Sequence, residues 1–133
     1  MKMLKPQIIF WGAGLVSFGL VQFLNQFIVD VVYNNNLAFG IVWPEQWIIP
    51  TMLAFLLLVV WWFYKQHKIS MSAAISFGLV LGGGASNLYE RVVYSGQVAD
   101  YWDVVGLFTF NLADVSIALG IIGLIIYFLR AKA

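Results

Sequence analysis

Four stretches of about 20 mainly apolar residues dominate the sequence, and each is long enough to cross a lipid bilayer as a helix. Apolar residues make up 62% of the 133 residues and charged residues 10%, whereas soluble domains contain about 45–50% and about 25%. A soluble fold of this length could not hide so many apolar side chains, because small domains keep much of their surface exposed. The sequence therefore predicts a single all-α integral membrane domain whose transmembrane helices span roughly residues 8–29, 46–64, 71–92 and 108–129.

The charged side chains are divided between the two ends of these four helices. Six of the seven basic residues fall on one side, and only Arg91 falls on the other. Because short cytoplasmic loops are enriched in Lys and Arg, this division predicts that both chain termini are cytoplasmic. The basic side carries Lys2, Lys5, Lys65, Lys68, Arg130 and Lys132, and the opposite, extracytoplasmic side carries Asp30, Glu45, Glu90, Asp100, Asp103 and Asp114.

The remaining composition excludes several function classes. A net charge of +1 argues against a general nucleic-acid binder. The absence of cysteine excludes disulfides, thiolate metal sites and cysteine nucleophiles. His67 is the only histidine, so it cannot build a multi-histidine metal site, and a Ser-His-Asp triad would have to use it. We therefore expect no metal, no cofactor and no nucleic-acid partner.

Two outer segments connect the helices on the acidic side. The first covers roughly residues 30–45 and combines residues 31–33, whose β-branched character allows short strands, with the turn-forming asparagines 34–36. The second covers roughly residues 93–107 and contains a Ser95-Gly96 turn. It also contains the run 100–103, whose aromatic residues predict a segment lying on the membrane surface.

Asp114 is the most unusual polar residue, because it is predicted to lie about a turn and a half inside the fourth apolar segment. Asn111 precedes it by three residues and therefore shares its helical face. A carboxylate in hydrocarbon is strongly destabilised unless it is protonated, paired or hydrated. One interpretation is an ordinary residue that caps the fourth helix at the membrane interface. The other is a functional polar stripe formed by both residues.

Asp100 is the candidate partner of Asp114, since a short outer segment should place both carboxylates at the same membrane depth. Two close carboxylates do not ionise independently, and they titrate as a pair. The ionised member can deprotonate a water while the protonated member polarises a scissile carbonyl, as in aspartic proteases. This chemistry needs neither histidine, cysteine nor metal. Asp103 competes with Asp100 on spacing alone.

Other polar residues in the apolar segments have structural as well as functional interpretations. Asn87 and Arg91 are four residues apart and share one face near the outer end of the third segment. Glu90 could pair with Arg91 or with a partner elsewhere, and all three could equally form an ordinary snorkelling cluster at the interface. We expect the glycines at 82–84 to permit close helix packing. We also expect interhelical hydrogen bonds from one face of the first segment, formed by Gln22, Asn25 and Gln26.

Three blocks of the sequence resemble one known family. Residues 83–91, followed by residues 96–101, are similar to its GGALGNLIDR…GxVVDF block. Residues 110–114 match its FNxAD block without a gap, and residues 34–40 are similar to its NxGxAFG block. The chain thereby resembles lipoprotein signal peptidase, also called signal peptidase II, over nearly its whole length.

This resemblance implies an aspartic endopeptidase of the bacterial cytoplasmic membrane. Such enzymes cut signal peptides from prolipoproteins on the N-terminal side of a diacylglyceryl-modified cysteine. By position, the resemblance implies Asp100 and Asp114 as the catalytic pair, in preference to Asp103. It further implies residues that line the site and contact substrate, namely Asn34, Asn87, Arg91 and Asn111.

The resemblance also implies an architecture and a set of partners. The first outer segment would form a small extracytoplasmic β-cradle, and the second would form a short surface helix that closes over the substrate. The partners would be lipid-modified prolipoproteins and membrane lipids, and the protein would be a monomer with its active site near the extracytoplasmic face.

The chain departs from the family blocks away from the two aspartates. In the first apolar segment the family has an Asp and a Lys where this chain has Val21 and Asn25. Glu90 replaces an Asp. Glycines of the family are replaced by Asn36 and Ser86. These changes bear on substrate preference, stability and full activity more than on the chemistry.

Two rival functions remain open on the sequence alone. In one, the chain is a catalytically silent homologue that binds lipidated peptides, which the changes at Val21 and Glu90 permit. In the other, it is a small four-span transporter or channel subunit in which Asp114 binds a proton or a cation. The lack of a membrane-embedded carboxylate in the first two apolar segments argues against a transporter.

Overall fold

In the part of the chain that the structure describes, four long helices and four short strands build the protein. The computed structural model describes residues 5–37 and 40–132. All four helices are long and apolar enough to cross a membrane, which confirms the predicted four-helix membrane fold with small antiparallel sheets. The helices are α1 (Pro6–Asn25), α2 (Glu45–Lys65), α3 (Met71–Val93) and α4 (Leu112–Lys132), and the strands are β1 (Val32–Asn34), β2 (Val98–Asp100), β3 (Trp102–Asp103) and β4 (Thr109–Phe110).

The central helix is α3, which contacts each of the other three. Glycines in α3 let the neighbouring backbones approach closely. A Cβ atom on Gly78 would lie 2.6 Å from the carbonyl oxygen of Phe10 in α1. A Cβ atom on Gly83 would lie 2.6 Å from the carbonyl oxygen of Ala113 in α4. The close packing predicted for the glycines at 82–84 is therefore confirmed.

Aromatic side chains hold α1, α2 and α3 together at the end of the bundle that carries Lys65 and Lys68. Phe10, Phe63 and Phe77 are buried there in one apolar core. The rings of Phe10 and Phe63 stack with their centroids 4.1 Å apart, and Phe77 meets Phe63 edge-on at 5.7 Å. This core closes the basic end of the bundle, and the buried carboxylates gather at the opposite end.

Two small antiparallel sheets lie at that opposite end. Strand β1, from the first outer segment, pairs with β2 from the second, and Asn34 lies opposite Val98. Strand β3 pairs with β4, and Asp103 lies opposite Thr109. The β1–β2 pair joins two segments that are far apart in sequence and fixes the end of β2, where Asp100 lies. The predicted β-cradle is therefore built from both outer segments and not from the first alone.

The surface helix predicted for the second outer segment is wrong. Residues 98–110 hold β2, β3 and β4. This helix was implied by the family resemblance, but Trp102 lies opposite Phe110 in the β3–β4 pair. The chain reverses between these strands at Val105 (φ 50°) and Gly106 (φ 73°), both in the left-handed region. Strand pairing thus supplies hydrogen-bond partners for backbone N–H and C=O groups, which in the expected helix would have bonded to each other within the helix.

Two helices are shorter than the predicted spans. Helix α1 ends at Asn25, although its span was expected to reach residue 29, and α4 begins at Leu112 and not near residue 108. Asp114 therefore lies in the first turn of α4, and the predicted position a turn and a half inside the helix is wrong. The expectations for orientation and for the first family block also included residues outside the described part of the chain, namely Lys2, Ala38 and Phe39.

Candidate active site

Asn111 and Asp114 cap the N-terminus of α4. The side-chain oxygen of Asn111 accepts a hydrogen bond from the backbone N–H of Asp114 at 3.0 Å, and Oδ2 of Asp114 accepts one from the backbone N–H of Asn111 at 3.0 Å. This reciprocal pattern is a capping box, which satisfies N–H groups that a helix start leaves unpaired. The capping interpretation of Asp114 is therefore confirmed. The same bonds also fix the position of its carboxylate.

Asp100 ends β2 and is only 1% exposed. Its Oδ2 accepts hydrogen bonds from Nδ2 of Asn34 at 2.9 Å and from the hydroxyl of Thr109 at 2.9 Å. Its Oδ1 accepts a third from Nδ2 of Asn111 at 3.0 Å. Strand pairing supplies two of these donors, because Asn34 lies in β1 and Thr109 in β4. These bonds compensate the carboxylate for the hydration that it loses on burial.

Asn111 connects the two aspartates. Its side-chain amide donates to Asp100, and its backbone N–H donates to Asp114. Asn87 completes the network from α3, because its Nδ2 donates to Oδ1 of Asp114 at 2.8 Å and its Oδ1 accepts from Nδ2 of Asn111 at 3.0 Å. The structure therefore brings Asp100 and Asp114 into one hydrogen-bond network.

A cavity of about 340 Å³ lies beside both carboxylates. Mainly apolar cavities with a few convergent polar groups are typical of ligand-binding sites. Among residues 5–37 and 40–132, no three His, Asp or Glu side chains are grouped so as to hold a metal ion. Its polar lining residues are Asn34, Asn36, Thr51, Asn87, Arg91, Asp100, Thr109 and Asp114, and its other lining residues are Leu37, Ile41, Met52, Phe55, Leu56, Gly84, Val98 and Ile117.

Arg91 joins the two outer segments. Its Nη1 donates to the carbonyl oxygen of Gly96 at 2.6 Å and its Nη2 donates to that of Asn36 at 2.6 Å. Its Nε is buried and has no hydrogen-bond partner among the described residues. Asn87, Glu90 and Arg91 are 7%, 3% and 3% exposed. The alternative of a snorkelling cluster at the interface is therefore wrong for these three residues.

Glu90 accepts its hydrogen bonds from α1 and β2. Its Oε1 accepts from Nδ2 of Asn25 at 2.6 Å, and its Oε2 accepts from the backbone N–H of Ala99 at 2.9 Å. Gln22, on the same face of α1 as Asn25, donates to the hydroxyl of Ser86 at 2.6 Å. The interhelical hydrogen bonds predicted for α1 are confirmed at these two positions.

The six residues that the sequence analysis assigned to the site all lie at this cavity or bond to residues that line it. Asp103, the competing acid, lies on β3 and does not line the cavity. Thr109 is not among the predicted site residues, although it directly precedes the block at residues 110–114. Neither is Tyr101, whose hydroxyl accepts a hydrogen bond from the backbone N–H of Leu112 at 2.7 Å.

Known proteins are similar in sequence to this chain over most of its length. A family model described as signal peptidase (SPase) II matches residues 7–130. The chain belongs to the signal peptidase II family. The matched region contains both aspartates and every residue that lines the cavity. The resemblance found in the sequence blocks is thereby confirmed, and the chain is a multi-pass member of a membrane protease family that processes lipoproteins.

Three bacterial relatives named lipoprotein signal peptidase illustrate the similarity. The protein of Aquifex aeolicus is 33% identical over an alignment of 110 residues, and the alignment covers 77% of this chain and 65% of that protein. The protein of Clostridioides difficile is 32% identical over an alignment of 118 residues, with 86% of this chain and 79% of that protein covered. The protein of Burkholderia mallei is 32% identical over an alignment of 119 residues, with 82% of this chain and 70% of that protein covered.

Two solved structures described as a bacterial membrane enzyme share the fold. One has a TM-score of 0.74 at 20% sequence identity, and the similarity covers 96% of this chain and 89% of that chain. The other has a TM-score of 0.69 at 21% identity and covers 94% of this chain and 92% of that chain. At these identities the likeness concerns the fold alone.

Proposed function

We propose that the protein is a membrane-embedded aspartic endopeptidase that removes signal peptides from diacylglyceryl-modified bacterial prolipoproteins, cutting on the N-terminal side of the lipidated cysteine. The observation that carries this proposal is the pair Asp100 and Asp114, joined through Asn111 at the edge of one cavity. Family membership supports the reaction class, since three relatives are named lipoprotein signal peptidase.

Asp100 and Asp114 divide the chemistry of hydrolysis between them. The ionised carboxylate takes a proton from a water molecule, while the protonated carboxylate donates a hydrogen bond to the scissile carbonyl oxygen. The water oxygen attacks the carbonyl carbon and gives a tetrahedral intermediate. Collapse of this intermediate breaks the C–N bond, and the proton taken from water passes to the leaving amine of the lipidated cysteine.

The apolar and polar lining residues of the cavity suit the two parts of such a substrate. The apolar lining residues, three of which lie in α2, accommodate the apolar residues of the signal peptide. In this proposal the amides of Asn34 and Asn87, which also line the cavity, bond to the peptide backbone beside the cleavage site. Arg91 already donates to carbonyl groups of both outer segments. We therefore propose that it supports the outer wall of the cavity as well as contacting substrate.

The proposed site faces the extracytoplasmic side of the bacterial cytoplasmic membrane. Both aspartates lie at the end of the bundle where the outer segments pair, and the connection that carries Lys65 and Lys68 lies at the other end. Short loops rich in Lys and Arg remain in the cytoplasm. In this orientation the diacylglyceryl chains of the substrate stay in the lipid while the peptide enters the cavity. One copy of the chain contains both carboxylates, so we propose a monomer.

Cleavage by the purified protein tests the proposal. The protein is mixed with a diacylglyceryl-modified prolipoprotein, and the products are identified by mass spectrometry. We expect release of the signal peptide directly before the modified cysteine. Asp114→Asn should not cleave, because the amide keeps the size and one acceptor oxygen but cannot exchange the proton. Glu45→Gln is the control, because Glu45 is an exposed acid that does not line the cavity, and it should cleave at the wild-type rate.

Different outcomes would support the rival functions. Binding of a lipidated peptide without cleavage would indicate a catalytically silent homologue. Proton or cation flux in liposomes that is lost in Asp114→Asn would indicate a transporter. Retained cleavage by Asp114→Asn would contradict the assignment of this residue to the catalytic pair.

A further inference from the structure

Two positions at which the chain departs from the family blocks, Asn25 and Glu90, contact each other. Nδ2 of Asn25 donates to Oε1 of Glu90 at 2.6 Å, which joins the last residue of α1 to α3. Oε2 of Glu90 accepts from the backbone N–H of Ala99 at 2.9 Å. Both oxygens of this buried carboxylate thus accept from neutral N–H groups. The proposed reaction makes no use of Glu90.

Tyr101 extends the same network to α4. Its hydroxyl donates to Oδ1 of Asn25 at 3.0 Å and accepts from the backbone N–H of Leu112 at 2.7 Å. Leu112 is the first residue of α4, and its N–H is one of the donors that a helix start leaves unpaired. Burial raises the pKa of the Tyr101 phenol above its usual value, so the hydroxyl keeps the proton that it donates to Asn25.

The network holds the chain on both sides of Asp100. Glu90 binds the backbone of Ala99, which precedes Asp100, and Tyr101 directly follows it. Tyr101 also binds the backbone of Leu112, two residues before the second catalytic carboxylate. Through these bonds β2, which ends in one aspartate, is connected to the helix start that carries the other. Breaking the network would allow the two carboxylates to move relative to each other.

We infer that three positioning residues set the separation of the two catalytic carboxylates, namely Asn25, Glu90 and Tyr101. This inference rests on the proposed function and goes beyond it, because none of the three lines the cavity. A displacement of a catalytic group by about 1 Å can cost about 100-fold in rate. Substrate contacts in the cavity would be unaffected, so the loss should fall on kcat and not on KM.

Tyr101→Phe tests this inference, because it removes the hydroxyl and keeps the ring. We expect kcat for prolipoprotein cleavage to fall about tenfold and KM to stay within about twofold, measured well below the unfolding temperature. Tyr94→Phe is the matched control. Tyr94 is 42% exposed at the end of α3 and does not line the cavity, so this variant should keep the wild-type kcat. An unchanged kcat in Tyr101→Phe would overturn the inference.

A double-mutant cycle separates positioning from a general loss of stability. Asn25→Ala breaks the hydrogen-bonded link between Glu90 and Tyr101, and Tyr101→Phe breaks the same link at its other end. The kcat of the double variant should therefore be no lower than that of the slower single variant. Additive losses in kcat, or losses that only follow the fraction of unfolded protein, would overturn the inference. Failure of the proposed function would be distinguishable, because the wild-type protein would then not cleave the prolipoprotein.

Discussion

At the scale of single residues, Asp100 is tolerated in the protein interior because donors surround its carboxylate. An unpaired buried charge is strongly destabilising, and Asn34, Thr109 and Asn111 each supply one hydrogen bond. Nδ2 of Asn34 also donates to Oγ1 of Thr109 at 3.5 Å, which leaves the hydroxyl hydrogen of Thr109 directed at Asp100. The contribution of Thr109 can be tested cleanly, since valine has the same shape without the hydroxyl.

We predict that Thr109→Val lowers kcat by about tenfold to about 100-fold, because a hydrogen bond to a charged group contributes about 1.5–3 kcal/mol and about 1.4 kcal/mol corresponds to tenfold in rate. Thr109→Ser keeps the hydroxyl and should retain most of the activity. Steady-state cleavage of a lipidated prolipoprotein measures both variants. Equal rates for the valine and serine variants would contradict a role for the hydroxyl.

The site residues that could be predicted from the sequence are those whose polarity contrasts with their surroundings. Asn111 and Asp114 stand out at the start of an apolar helix, and the family blocks distinguish Asp100 from Asp103. Thr109 could not be predicted, because its contact with Asp100 depends on strand pairing, and a threonine beside aromatic residues is ordinary in a strand.

At the scale of elements, glycine contacts between α3 and α4 determine where the helix that carries Asp114 lies. A Cβ atom on Gly83 would come within 2.6 Å of the carbonyl oxygen of Ala113 and within 2.9 Å of Cγ1 of Ile117. Both contacts lie within one helical turn of Asp114. Small residues therefore place the first turn of α4 directly against α3, where Asn87 reaches the Asp114 carboxylate.

We predict that Gly83→Ala lowers the free energy of unfolding by about 1–3 kcal/mol, because the added methyl group must push α4 away from α3. The cleavage rate should fall as well, since the displaced helix carries Asp114. Gly12→Ala is the matched control, because apart from its chain neighbours and the adjacent backbone of α1 no heavy atom lies within 4 Å of its Cβ position, and it should be neutral or slightly stabilising. Unfolding in detergent measures the stability of both variants. A Gly83→Ala protein as stable as Gly12→Ala would contradict the packing argument.

The sequence predicts that the helices span the membrane more accurately than it predicts the residues at which they begin and end. Apolar residues such as Phe27 and Val29 continue the hydrophobic run past the end of α1 at Asn25. Interfacial segments of membrane proteins are themselves rich in such residues, so hydropathy does not mark the helix end. The surface helix implied by the family resemblance is wrong, because aromatic residues such as Trp102 are also favourable in strands and Trp102 pairs with β4.

At the scale of the whole molecule, the distribution of basic residues predicts which end of the bundle faces the cytoplasm. The chain has no cysteine, so single introduced cysteines report accessibility directly. We predict that Ser95→Cys reacts with a membrane-impermeant maleimide in intact spheroplasts, whereas His67→Cys reacts only after lysis. Both positions are exposed in the structure. The reverse labelling pattern would contradict the proposed orientation.

Fold class and helix number could be predicted because composition and hydropathy are properties of the whole chain. The arrangement of the elements could not, because it depends on contacts between residues that are distant in sequence. The pairing of β1 with β2 and the bonds from Arg91 to Asn36 and Gly96 are such contacts. No local pattern of residues in the sequence indicates that the two outer segments pair in one sheet. This pairing brings Asn34 to Asp100.

The proposal that Asp100 and Asp114 form one catalytic pair is tested most directly by the kinetic coupling between them. The value of kcat for a lipidated prolipoprotein is measured for the wild type, Asp100→Asn, Asp114→Asn and the double variant in the same lipid, with Glu45→Gln as the control. If the carboxylates act as one catalytic unit, each single variant loses at least about 1,000-fold and the double variant is no slower than the slower single variant. Near-wild-type cleavage by either single variant, or losses that add in the double variant, would contradict the claim.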